Sequence, residues 1–565
     1  MTLAAPRRST QTAIWRRVPA ATAALCALLL AAAVLLLYTG RHLTFFYDEW
    51  AFVLLRRGGG LSTYLDPHNG HLALFPVVVY KVLFAIFGLR HYTPYRVVGI
   101  ALHLLCATLL YVLVRRRVGP WLALVPVALL LFMGTAWQDL LWPFQISYLA
   151  SVAGGLGALA LIESDARHRD AFATGLLLWS LISSGVGIAF LVANAVALIA
   201  SRQLWRRLWI VAVPAAVYAA WYLGWGSSEP ITSGGVLAAP QYVANAAAGA
   251  ALGIAGLTDA SWGPALAIAL AALIAIAWRR QGRDRPTPML LAAGAGALTF
   301  WVLAALVRAD SPDPTASRYL YVGAVFIFLL AAESGVGRGL RGTSLALAGL
   351  VVLGALIGNV GVLRDGERGL RADDANVRAS LRIVEIAAPV VAPTFVPSPI
   401  DAPVVTAGPY LAAVRDLGSP ALTTGELDRA PTPIRMDSDR VLQLAERLTP
   451  VLAPPTAISG RRPLIIEATA SGRTVAVGPC RRFIPTHPGA SLALSVSPGS
   501  RLAIHVGRLP AGLYARRFGP GFPSAPLAAV SADRDMLVSF PRDLAPLLPW
   551  HVLLIASTPA EVCLT

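Results

Sequence analysis

The sequence predicts a polytopic α-helical membrane protein of about eleven spans, followed by an extracytoplasmic α+β domain that is β-rich and sandwich- or jelly-roll-like. Three observations predict it. Hydrophobic residues make up 56% of the 565 and charged residues only 14%, with mean hydropathy +0.63, too apolar for a water-soluble globule. Long apolar runs alternate with short arginine clusters up to about residue 361. Beyond that point Pro, Ser, Thr and charged residues rise, and no further spanning run occurs.

Taken in order, residues 1–17 form a cytoplasmic tail with arginines at 7, 8, 16 and 17, and the run 18–40 is an uncleaved first span. Further spans are expected at 97–114, 119–135, 148–162, 171–184, 186–200, 208–225, 262–278, 288–306, 319–334 and 343–361. One threading then places "RRR" (115–117), "RHR" (167–169), "RQLWRR" (202–207), "RRQGRDR" (279–285) and "RGLR" (338–341) all on the cytoplasmic side of the cell membrane. An odd number of spans leaves the C-terminal domain, 362–565, outside. The formal charge of +17 is therefore a matter of topology and not of nucleic-acid binding.

Within the first outer loop, 41–96, the run 72–89 is apolar enough to span, but a crossing there would put Arg115–Arg117 outside. It is expected to dip into the outer leaflet instead. The stretch 171–200 should hold two shortened passes meeting near "SSGVG" (183–187), and helix ends at membrane depth line a cavity. In the soluble part, 371–387 and 437–448 read as amphipathic helices, the second with an Asp or Ser cap. "PLIIEATA", "TVAVG", "SLALSVS", "RLAIHVG", "MLVSFP" and "HVLLIAS" read as short strands. Cys480 and Cys563 make an even pair, for which an extracytoplasmic disulfide is the natural expectation, whereas Cys26 and Cys106 sit in apolar runs as small hydrophobes.

Four stretches could carry chemistry. In "FFYDEW" (45–50) the rings fit an interfacial aromatic belt, but Asp48 and Glu49 lie beside the hydrocarbon boundary, where a charge costs free energy unless it meets water, a partner or a cation. The plainer reading makes Asp48 a helix N-cap. "HNGH" offers His68, Asn69 and His71, either for sugar hydroxyls or as a turn at Asn69-Gly70; two imidazoles alone are too few for zinc. "WQDLLWPFQISY" offers Gln138, Asp139, Trp142 and Gln145 as sugar contacts, against an ordinary Trp belt. "RADSPDPTASRYLY" offers Arg308, Arg318 and Tyr319, with Asp310 and Asp313 solvated. Arg318 and Arg308 are the best placed cations for an anionic group. Lys81, Arg96 and the pair Arg56/Arg57 stand behind them, where snorkelling is the alternative. His103, inside a span, reads as a satisfied buried histidine.

The layout of first span, Asp-Glu pair, polar loop, Pro, "FG" and next span resembles the GT-C superfamily of membrane glycosyltransferases. Protein O-mannosyltransferases, the lipid A aminoarabinose transferase and cell-wall arabinofuranosyltransferases belong to it. The loop closing in Ser-Arg-Tyr and the short-helix pair at 171–200 share in the resemblance, which covers roughly residues 18–360 and rests on architecture plus one short motif. It implies inverting transfer of a sugar from a polyprenyl-phosphate donor to a glycan, lipid or protein acceptor of the cell envelope, at the outer face of the membrane. Asp48 maps onto the family's catalytic acid, as general base. Glu49 would orient the acceptor, hold Asp48 or help to coordinate a divalent cation, the one cofactor left open. Arg318 would meet the lipid phosphate. Where many relatives carry Lys-Pro, this chain has Phe75-Pro76, a departure that bears on how the phosphate is held. A transporter or flippase of a lipid-linked precursor is the rival reading, though the chain shows neither an inverted repeat nor paired mid-span acids. A non-catalytic, glycan-binding relative is the third.

Overall fold

The computed structural model describes residues 19–165, 167–227, 233–282, 285–308, 313–453, 463–523 and 526–565. The arginine-bearing tail 1–17 and Asp310 lie outside the described residues.

The helices are α1 (Ala20–Thr39), α2 (Glu49–Leu55), α3 (Leu61–Leu65), α4 (Leu74–Phe87), α5 (Thr93–Val118), α6 (Leu124–Leu131), α7 (Trp137–Leu141), α8 (Ile146–Ile162), α9 (Arg169–Ser183) and α10 (Val186–Ala200). They continue with α11 (Leu204–Arg207), α12 (Trp209–Trp225), α13 (Ser233–Ile254), α14 (Gly263–Arg280), α15 (Pro288–Arg308), α16 (Ser317–Glu333), α17 (Gly342–Ile386), α18 (Ala407–Leu417), α19 (Thr424–Asp428) and α20 (Thr432–Ala445). The chain divides into two compact units: Met1–Arg41, Leu65–Phe75 and Arg96–Glu367 form the first, and His42–Tyr64, Pro76–Tyr95 and Arg368–Thr565 the second.

Among the described residues six helices are long and apolar enough to cross a membrane: those at Ala20–Thr39, Thr93–Val118, Pro143–Ile162, Ala260–Arg280, Pro288–Val307 and Gly342–Ile386. A bent pair, Leu124–Leu131 with Gly134–Leu141, makes a seventh if counted as one span. The expected count of eleven is therefore not met by length and composition. The span expected at 119–135 is instead a helix broken after Leu131 and bent by 41°. Asn359 braces that break: its Oδ1 accepts the Thr135 N–H at 3.1 Å, and its Nδ2 donates to Gly253 O at 3.2 Å and Ala355 O at 3.0 Å. α9 and α10 have 15 residues each, about 22 Å, shorter than the roughly 30 Å hydrocarbon core, and they meet at Ser184 and Gly185. α13 was missed because Pro240, Gln241 and Asn245 interrupt its apolar pattern.

α4, at 14 residues, is also too short to cross alone. It buries Val77, Tyr80 and Leu83 and exposes Val78, Val82 and Ile86, a second apolar stripe at four-residue spacing. α17 joins the last expected span and the amphipathic segment 371–387 into one 45-residue helix. α20 starts five residues before the expected 437–448 helix, at Thr432 after Pro431, so Asp437 and Ser438 are interior positions and not caps.

The strands are β1 (Val451–Leu452), β2 (Ile465–Ala470), β3 (Gly472–Val477), β4 (Cys480–Pro485), β5 (Ala490–Val496), β6 (Ser500–Val506), β7 (Ala511–Arg516), β8 (Ala528–Val530), β9 (Asp535–Phe540), β10 (Trp550–Ala556) and β11 (Ala560–Leu564). They make two antiparallel sheets, β1-β9-β6-β11-β4-β3 and β2-β5-β10-β7-β8. The pairs β4·β11, β5·β10, β6·β9 and β7·β8 are nested, each enclosed in sequence by the one before. Strict alternation of burial along β5, β7 and β10 gives each of these strands one inward face. Cys480 and Cys563, at the ends of the neighbouring β4 and β11, are joined by a disulfide.

Candidate functional site

The expected residues divide between the units. Asp48, Glu49 and Lys81 belong to the second; His68, Asn69, His71, Arg96, Gln138, Asp139, Trp142, Arg318 and Tyr319 belong to the first. Arg308 ends α15, and its side chain lies outside the described residues.

In the second unit the carboxylate pair splits into two different environments. The Phe46–Glu49 segment closes as a turn, Glu49 N–H donating to Phe46 O at 3.0 Å, with Tyr47 at φ +42°. Glu49 is fully buried, and its carboxylate accepts from Phe46 N–H at 2.9 Å, the Tyr80 hydroxyl at 2.5 Å and the Tyr92 hydroxyl at 2.8 Å. Asp48 is half-buried one position earlier. It stands at the N-cap of α2, yet its backbone is already helical and its side chain accepts no cap hydrogen bond, which removes the plain N-cap reading.

The rings around this turn are core and not an interfacial belt. Phe45, Trp50, Tyr80 and Tyr95 are all buried. Phe45 meets Tyr92 and Tyr95 edge-on, at 4.8 and 5.1 Å between centroids. Of the hexapeptide's rings, only Tyr47 is exposed.

Asp374 of α17, a residue the sequence reading missed, accepts the Thr44 N–H at 2.8 Å through Oδ2. Burial pushes its carboxyl well above the usual range; the Thr44 N–H opposes this and the nearby Glu49 adds to it. A signal was present: Leu370, Asp374, Val377 and Leu381 share one helix face, and an acid in an apolar stripe is a buried acid.

The reserve cations are committed locally. Lys81 Nζ donates to Gly58 O at 2.7 Å and lies over the Tyr64 ring, and partial burial lowers its pKa. Arg56 is buried and donates to Ser62 O and Thr63 O, each at 3.2 Å, and Arg57 pairs with Asp416.

In the first unit, His68 and His71 exchange backbone hydrogen bonds at 2.9 and 3.0 Å across Asn69 (φ +50°) and Gly70 (φ +76°), a two-residue hairpin turn with both central residues left-handed. The hairpin's start is held by Trp221 Nε1, which donates to Leu65 O at 2.8 Å. The His71 ring lies over Gly185, so the break between α9 and α10 is covered by an imidazole; the His68 ring sits edge-on to Phe144 at 5.3 Å. Phe75 packs edge-on to Trp179 at 5.4 Å.

Arg96 stands at the C-terminal end of α1. It is 4% exposed, and its guanidinium donates to Leu36 O and Leu37 O, the last carbonyls of α1, where a cation also offsets the helix dipole. Gln138 likewise has a structural task. Its N–H donates to Ser317 Oγ at 3.1 Å and its Oε1 accepts the Arg318 N–H at 3.2 Å, satisfying a first-turn donor of α16.

Asp139 is the exception. It is 3% exposed, and neither carboxylate oxygen has a hydrogen-bond partner among the described residues. Arg318 is its nearby opposite charge, half-buried, with the guanidinium over the Tyr319 ring at 4.8 Å. Gln145 is 1% exposed with Oε1 also unpartnered, and Trp142 is buried, stacked on Phe144 at 4.9 Å. Buried acceptors without donors are costly, and together they offer places for a ligand's hydroxyls.

His103 is satisfied, its ring nitrogens within 2.9 Å of the Tyr321 hydroxyl and 3.3 Å of Leu131 O. The one grouping with metal-ligand spacing among the described residues is Cys480, Glu561 and Cys563, and its cysteines are spent on the disulfide.

No protein-family model and no curated protein matches the chain. Among solved structures it is similar to ArnT from Cupriavidus metallidurans. The form bound to undecaprenyl phosphate shows 15% identity and the apo form 17%, each over 66% of this chain and 82% of that one, at a TM-score of 0.42.

Proposed function

We propose that the chain is an inverting membrane glycosyltransferase of the GT-C kind, moving a sugar from a polyprenyl-phosphate donor to an acceptor of the cell envelope, with Asp48 as general base. The observation that carries this reading is the split pair: Glu49 is fully buried and accepts from three donors, while Asp48 is only half-buried, one position earlier in the same turn. Glu49 is then a positioning residue. In the reaction the acceptor hydroxyl gives its proton to Asp48 as its oxygen bonds to the anomeric carbon. The bond from that carbon to the phosphate oxygen breaks, leaving the lipid phosphate with an added negative charge. Arg318 is the proposed contact for that charge, oriented by Asp139; Asp139 and Gln145 supply acceptors for sugar hydroxyls.

The C-terminal strands support an ancillary role. Four nested antiparallel pairs distributed over two sheets are the pattern of a jelly-roll sandwich, an architecture lectins use, and we assign this domain to glycan binding or acceptor positioning outside the membrane.

The test supplies a labelled polyprenyl-phosphate sugar and candidate acceptors to the purified protein. Asp48→Asn is expected to lose transfer by about 10²–10⁴-fold. Equal transfer by wild type and variant removes the base assignment. Lipid crossing the bilayer without transfer replaces the whole reading with the transporter.

A further inference from the structure

The turn that carries Asp48 is entered through residues 43–46, which belong to no helix or strand. A buried backbone N–H in such a segment has no regular ladder to join and must be met by a side chain or a loop carbonyl. Two of its donors meet carboxylates. Phe46 N–H donates to Glu49 at 2.9 Å, three residues on, and Thr44 N–H donates to Asp374 Oδ2 at 2.8 Å, 330 residues on. Thr44 is 8% exposed and Asp374 2%, so the second bond is made away from water.

Asp374 is itself held by its helix. Leu370, Val377 and Leu381, on the same face of α17, are buried. One turn on, Arg378 ties the helix to the segment after α18: its Nε donates to Pro420 O at 3.0 Å and its carbonyl accepts the Leu422 N–H at 3.3 Å. All these residues lie in the second unit. Only one oxygen of Asp374 does the holding, since Oδ1 has no hydrogen-bond partner among the described residues. Burial keeps the carboxyl well above the usual range, the Thr44 N–H opposing and Glu49 adding to it. Asp374 thus acts as a neutral acceptor, a part that an amide oxygen can also play.

We propose that Asp374 is a positioning residue for the transfer reaction, fixing through the Thr44 N–H where the Asp48 carboxylate meets the acceptor hydroxyl. The inference rests on the assignment of Asp48 as general base. A base must lie within hydrogen-bond reach of the proton it takes, and a displacement of about 1 Å can cost on the order of 100-fold in rate. Asp374 touches neither donor nor acceptor in this assignment. Its loss therefore falls on kcat and leaves KM unchanged.

The test measures transfer from a labelled polyprenyl-phosphate sugar by the full-length protein in detergent, well below each variant's thermal midpoint, together with hydrogen exchange at the Thr44 amide. Asp374→Ala is expected to lower kcat by about 10–100-fold with KM unchanged, and to speed exchange at Thr44. Asp374→Asn keeps the acceptor oxygen and should stay within about threefold of wild type in kcat. Should Asp374→Ala not fold, Asp374→Glu, which shifts the acceptor by one methylene, reads the same displacement. An acid that served stability alone would lower the midpoint and spare the kcat of the folded enzyme. Wild-type kcat or unchanged Thr44 exchange in Asp374→Ala overturns the proposal, and so does an Asp374→Asn as impaired as Asp374→Ala, which would mean that the charge is what matters. Asp48→Asn, assayed in parallel, separates the two failures. If it transfers like wild type, or if wild type transfers nothing, the base assignment fails and the positioning role falls with it; if it loses transfer while Asp374→Ala does not, only the positioning role fails.

Discussion

Three donors converge on Glu49 inside an aromatic shell, so a substitution there strands several buried polar groups at once. Glu49→Ala is expected to lower the thermal midpoint sharply, each buried group left unmatched costing about 1–3 kcal/mol. Glu49→Gln should lose part of this, because its amide NH₂ meets a hydroxyl donor. Asp48→Asn should melt like wild type, and a large drop for Asp48→Asn in the same assay would show that its carboxylate too is structural. Glu446 offers a second residue-level prediction. Burial first, and then neighbouring Asp543, push its carboxyl up to about 9 from an ordinary 4.5. Such an acid stays protonated in the folded state while the unfolded chain ionises, so its contribution to stability falls as pH rises from about 4.5 to about 9. Glu446→Gln, neutral in both states, should flatten that slope in denaturant titrations across the interval.

Elements here are shaped by what they must present. The 68–71 hairpin closes through two left-handed residues, which Asn-Gly tolerates and β-branched residues do not. Gly70→Val is expected to cost about 1–2 kcal/mol and to loosen the hairpin. Hydrogen exchange at the His68 and His71 amides reads this directly, and unchanged protection would count against the turn's role in seating His71 over Gly185. α4 shows why a run of apolar residues does not identify a span. One stripe, Val77, Tyr80 and Leu83, serves the core around Glu49, and the other, Val78, Val82 and Ile86, remains exposed. Its hydropathy reports the sum of the two faces, and only its 14-residue length separates them from a crossing.

The second unit is not confined to the C-terminal residues. Trp50 lies against Tyr410 at 6.0 Å, and Thr44 is held by Asp374, so the loop carrying Asp48 is packed with residues more than 300 positions away. A fragment of residues 362–565 lacks 42–64 and 76–95 and exposes the surfaces those segments cover. It is expected to bind an apolar dye and to melt without cooperativity; a monomeric fragment with a sharp transition would show that the segments are dispensable.

Composition and the alternation of apolar runs with arginine clusters were enough to read a helical membrane protein with a β-rich domain after it, because transfer free energy and strand periodicity are local properties of sequence. The strands at 465–470, 490–496, 500–506 and 550–556 and the Asn69-Gly70 turn were legible for the same reason. The break at 132–136 and the helix at 233–254 were not, since one depends on Asn359, some 220 residues on, and the other has a diluted apolar face. The sequence alone determined that two adjacent carboxylates stand beside the first span. Only the tertiary structure decided that Glu49 is buried under Tyr80 and Tyr92 while Asp48 stays half-buried, because burial and hydrogen-bond donors come from residues distant in the chain.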